Sequence, residues 1–161
     1  LHATLRRQRQ MCIRDRFVSV CFGIWSVSVV LTQTFINPLF KSLKLMMLLG
    51  PVLSCISFIT LIFSTEIFAL VGTLILNGIG LGITRPSYNS ALSLSQKKEF
   101  QSSAAGIMGS TLPIGHMIAP LFVGLYLIDF SYVYIFSAII CLISIAFTAV
   151  HPYILRSNAY K

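Results

Sequence analysis

Four acids, three histidines and four cysteines are all that 161 residues offer to acid–base or metal chemistry. Their spacing supports little of it. His2, His116 and His151 are too far apart in sequence to form a ligand cluster, and no HExxH, CxxC, paired-carboxylate or glycine-rich phosphate element occurs. Cys21, Cys55 and Cys141 each stand inside an apolar run without a second ligand nearby, and read as free thiols acting as small hydrophobes. Cys12 lies in an arginine-rich run. No enzyme, metal or organic cofactor is expected from this set.

The remaining chemistry is carried by a few polar residues in apolar surroundings. His116 interrupts TLPIGHMIAP, where it could carry a proton or stay neutral and bond to a neighbouring helix. Gln33 and Asn77 could likewise bond between helices or line a cavity. No acid falls inside any of these apolar runs, so carboxylate-based proton coupling is not expected within them.

These residues need elements to hold them, and composition indicates which. The chain is 56% hydrophobic and 10% charged, with a mean hydropathy of +0.85. Soluble domains carry about a quarter charged residues, so this is a membrane protein. Crossing ~30 Å of hydrocarbon takes about 20 helical residues. Five segments qualify: 17–36, 45–64, 67–84, 104–128 and 131–150. None alternates as a barrel strand does, so an all-α polytopic membrane protein with five helices is expected.

Charge orients the segments. Beyond residue 16, seven Lys/Arg stand against three acids, a net +4. All seven basic residues fall in the first connection (Lys41, Lys44), the third (Arg85, Lys97, Lys98) or the tail (Arg156, Lys161). The second and fourth connections carry Glu66 and Asp129. The positive-inside rule therefore places the first and third connections, and the C-terminal residues 156–161, in the cytoplasm. With the basic residues spread this way, a nucleic-acid partner is not expected. The bilayer is.

Glycine marks the expected packing. Eight of the ten glycines lie in segments three and four. Gly78 and Gly82 stand in small-xxx-small register, and segment four carries Gly106, Gly109, Gly115 and Gly124 with Pro113 and Pro120. The expectation is that segments three and four are core helices while two and five face lipid. Prolines at these spacings also permit bending. Trp25 and the tyrosines fit interface anchors.

The runs LILNGIGLGITRPSYNSALS and SQKKEFQSSAAGIMGSTLPIGHMIAPLFVGLYL resemble the tenth and eleventh helices of major facilitator superfamily transporters, with drug- and tetracycline-efflux branches the most similar. The shared pattern is a Gly-rich helix ending at Pro86, a polar cytoplasmic loop, a small-residue helix start, and Ala119-Pro120 with Gly124. NPLFKSLKLMMLLG stands where the family has its Gly-x-x-x-Asp-Arg-x-Gly-Arg loop, keeping Lys41 and Lys44 but not the Asp.

The resemblance implies that segments one to five are helices eight to twelve of a twelve-helix fold. They would form most of its C-terminal six-helix half and work with an N-terminal half of the same transporter. It implies alternating access for a small solute, most simply secondary efflux in a bacterial inner membrane, with proton or ion coupling open. Gln33, Asn77 and His116 become cavity candidates. Gly78, Gly82, Arg85, Pro86, Gly109, Gly115, Pro120 and Gly124 become gate or packing candidates. A five-span scaffold without transport activity is the alternative.

Residues 1–16 have a reading of their own. Arg6 to Arg16, RRQRQMCIRDR, reverse-translates in one frame to CGT CGG CAG CGT CAG ATG TGT ATA AGA GAC AGR, which resembles the adapter of a transposase-based sequencing library. As a native anchor the run would place five arginines outside the membrane. The expectation is that 1–16 are translated adapter and that the native beginning of the protein is missing.

Overall fold

The computed structural model describes residues 2–63 and 66–150, with the side chains of 2–14, 98, 123, 125–128 and 130 excepted. The expected tail lies outside these residues.

In hydrocarbon no water serves the backbone, so each polar peptide group must find its partner within the helix. Five helices result: α1 (His2–Leu31), α2 (Leu43–Phe63), α3 (Ile67–Ser95), α4 (Gln101–Ile128) and α5 (Phe130–Val150). All five elements include a stretch long and apolar enough to cross a membrane; the first runs Asp15–Leu39. The end of α1 is irregular. A π-helical turn, Thr32–Ile36, leads into a 3-10 turn, Asn37–Leu39, and the Asn37 N–H bonds to the Thr32 carbonyl. Pro38 then has no N–H with which to continue the ladder.

The third helix corrects the expected boundary. Segment three was expected to stop at 84, with Arg85–Ser103 as a loop, yet α3 continues through Pro86 to Ser95. A proline removes only its own bond to the carbonyl four residues back, here that of Gly82. Asn37 replaces that donor: its Nδ2 gives a hydrogen bond to the Gly82 carbonyl at 3.0 Å. With 29 residues, α3 is about 44 Å long and exceeds the hydrocarbon thickness.

The packing order also differs from expectation. Helix α3 lies between α1 and α2, and α2 lies between α3 and α5. Segment two is therefore central, and segment four is the least covered. Among the described side chains of α4 only Ala104 is buried.

Atoms at the glycines give the reason. A Cβ added to Gly78 would stand 2.8 Å from the Trp25 carbonyl oxygen and the Ser28 Cβ, and one on Gly82 would stand 2.8 Å from the Thr32 Cβ. One on Gly80 would meet the Gly50 carbonyl at 2.8 Å. Gly78 and Gly82 thus face α1, and Gly80 faces α2. A Cβ on Gly106, Gly109, Gly115 or Gly124 would meet nothing within 4 Å. Glycine content alone does not distinguish a packed face from an open one.

Hydrogen bonds add to this packing, because lipid tails give apolar helices little reason to associate. Ser57 Oγ donates to the Thr73 carbonyl at 2.8 Å, joining α2 to α3. The Cys55 thiol, buried, lies 3.8 Å from the Ala138 carbonyl of α5. Phe122 stacks on Phe136 at 4.6 Å, a ring contact between α4 and α5.

Candidate functional site

Helices α3 and α4 touch little along their length, and a groove separates them. One section involves Ser93 and Gln101; the other, of about 500 Å³, involves Arg85, Thr111 and His116. Asn89, Met108 and Gly109 line both, so the two sections are continuous. On α3 the lining positions are 85, 89, 92 and 93, and on α4 they run 101, 104, 105, 108, 109, 111, 112, 115 and 116. Steps of three and four residues place each set on one helix face.

The side chains differ in whether their bonding capacity is used. Gln101 Nε2 donates to the Ser93 carbonyl at 3.4 Å, and Thr111 Oγ1 donates to the Met108 carbonyl at 2.7 Å. Arg85, Asn89 and His116 make no hydrogen bond or ion pair with any described residue. An arginine at the centre of a bilayer costs about 2.5–3.5 kcal/mol, and arginines near a helix end reach toward the interface. Arg85 is exposed to the groove and ten residues before the end of α3.

The structure separates the sequence candidates into three groups. Arg85, Gly109, Gly115 and His116 come together at the groove. Gly78, Gly82, Pro86 and Asn77 belong to the junction of α1 with α3, where Trp25 Nε1 donates to Asn77 Oδ1 at 3.1 Å. Trp25 is half-buried, and its indole ties α1 to α3. Gln33, Pro120 and Gly124 are exposed and lie outside the groove, Gln33 on the π-helical turn. For Gly109, Gly115 and Gly124, a helix-packing role is not met among the described residues, because their added Cβ atoms meet open space.

The five long apolar helices and a polar groove between two of them describe a membrane domain without selecting a family. The family comparison selects one. The model of the major facilitator superfamily matches residues 8–159, nearly the whole chain. The chain belongs to the major facilitator superfamily. It is an integral membrane protein of a family that moves small solutes across membranes. Comparisons with curated proteins and with solved structures give no match.

Within this major facilitator domain, two residues that sequence reading passed over become significant. Asn89 lines both sections of the groove, and Tyr88 bonds α3 to α5 through Ser144 at 3.1 Å and Thr148 at 2.9 Å. Both lie beyond residue 84, where the third segment is expected to end from sequence. Continuing the helix would have placed Asn89 one turn beyond Arg85 on the same face.

Proposed function

We propose that this chain forms part of a secondary transporter in which the groove between α3 and α4 belongs to the solute path. The observation that carries it is the convergence of Arg85, Asn89 and His116, all with bonding capacity unused among the described residues, on a groove between two apolar helices. Polar side chains left open inside a membrane domain belong on a substrate or ion route. His116 faces the solute or a coupling proton, and Arg85 with Pro86 stands toward the inner gate.

The uncovered α4 face supports a second helical half of the same transporter as its partner, with alternating access between the two. The direction is efflux, the C-terminus is cytoplasmic, and the membrane is a bacterial inner membrane. These follow the charge pattern and the sequence resemblance to efflux branches. Residues 1–16 are adapter-derived in this reading. Amplifying the region encoding residues 10–20 from source genomic DNA tests it, since a native run would be recovered.

The test of function is flux. The intact protein is reconstituted in liposomes and solute uptake or release is followed under an imposed pH gradient. His116→Ala is expected to lower the rate. Unchanged, still pH-driven transport in that variant would remove His116 from coupling, and absence of any flux across a broad solute panel would remove the transporter reading.

A further inference from the structure

We infer that the groove between α3 and α4 takes a solute bearing a carboxylate or phosphate group, with Arg85 as its charge partner and Asn89 and His116 as further donors. This rests on the proposed transport role and names the chemical class of its substrate.

The donor inventory carries the argument. The guanidinium of Arg85 offers five N–H groups in a planar fork, the amide of Asn89 offers two, and the imidazole of His116 offers at least one. None is engaged by a described residue. Thr111 has committed its only proton to the Met108 carbonyl, so toward the groove its oxygen can only accept. No Asp or Glu lines either section, and Glu66, Glu99 and Asp129 all lie outside them. Among the described residues the groove's one fixed charge is a guanidinium and no carboxylate lines it, so they give a cationic solute no counter-charge. The groove complements an anion, because planar N–H pairs match carboxylate and phosphate oxygens bidentately.

The apolar part of the ligand is also defined. Met108, Leu92 and Leu112 line the groove beside the donors. Ligand sites combine an apolar wall with a few convergent polar groups. An anionic head on an apolar body, such as an aromatic carboxylate, fits both features.

A phospholipid phosphate presents the same head group chemistry, and an acid elsewhere in the intact protein could also engage Arg85. The experiment separates these. The intact protein, in phosphatidylcholine vesicles and in vesicles containing phosphatidylglycerol, is titrated with radiolabelled benzoate, inorganic phosphate and tetraphenylphosphonium. At least one of the two anions is expected to bind saturably in both vesicle types. Affinity should fall about tenfold or more in Arg85→Gln, the loss of a charged hydrogen-bonding partner, and less in Arg85→Lys. Asn89→Ala should weaken it further in the same direction.

Three results would overturn the inference: anion affinity unchanged in Arg85→Gln, saturable binding of tetraphenylphosphonium alone, or anion binding abolished by phosphatidylglycerol, which would assign Arg85 to lipid. Flux is measured in parallel. Arg85-dependent anion binding without flux keeps the site and removes the transport reading. Cation flux without anion binding keeps transport and removes the site.

Discussion

Asn37 Nδ2 donates to the Gly82 carbonyl at 3.0 Å, and Gly82 is the residue whose carbonyl Pro86 cannot serve. A side chain at the end of one helix thus completes the backbone of another. The amide orientation is dictated by the chemistry, since only its nitrogen can donate to a carbonyl. The Asn37 Oδ1 is left buried without a partner. The π-helical turn before Asn37 inserts one residue into α1, which changes the face on which Asn37 emerges.

This pairing predicts a coupling. Asn37→Ala should cost about 1 kcal/mol of stability, in the range of hydrogen bonds between membrane helices. In a Pro86→Ala background residue 86 regains an N–H for Gly82, and the same change should cost clearly less. The double-mutant cycle is measured by denaturant titration in detergent; a coupling energy of zero would show that the bond does not compensate for the proline.

Glycines on the two helices should respond oppositely. Gly78→Ala and Gly82→Ala force a Cβ into the backbone or side chains of α1, and overpacking of this kind costs about 1–3 kcal/mol. Gly109→Ala and Gly115→Ala add a methyl to open space and should leave the stability of this bundle nearly unchanged. Comparable losses at all four positions would mean that α4 is covered on that face in the intact protein.

Tyr88 ties α3 to α5. Thr148 donates its proton to the Ser144 carbonyl at 2.8 Å, so the Tyr88 hydroxyl donates to Thr148 and is left to accept from Ser144. Tyr88→Phe removes both bonds and should lower stability by about 1 kcal/mol without altering helix content. Circular dichroism with thermal unfolding reads both quantities.

The chain holds a single tryptophan, Trp25, bonded to Asn77. Asn77→Leu removes the acceptor of the indole N–H, so Trp25 emission in this chain should move to shorter wavelength. An unchanged spectrum would indicate that the pairing is absent in the membrane.

Orientation can be read with single cysteines and a membrane-impermeant maleimide, in a background lacking the native thiols. Ser42→Cys in the first connection should be labelled only after the inner face is made accessible, and Asp129→Cys should be labelled from outside. The reverse pattern would invert the charge-based topology.

Much of this protein was legible in its sequence, for a definite reason. Hydrocarbon thickness sets span length and forces backbone bonds inside each helix, so five apolar runs were enough to give five helices. The quoted Gly- and Pro-containing runs pointed to the family that the family model then matched over residues 8–159. What the sequence could not determine was which polar or small residues meet. Glycines in α3 and α4 look alike as letters, yet Gly78, Gly80 and Gly82 are closed against neighbours and Gly109 and Gly115 are open. Asn77 and His116 look alike as isolated polar residues, yet Asn77 has a partner in Trp25 and His116 lies open on the groove. The extension of α3 past Pro86 depended on a donor 45 positions away in sequence, Asn37. Local spacing specifies the face of a helix, but only the packing of the helices decides what that face meets.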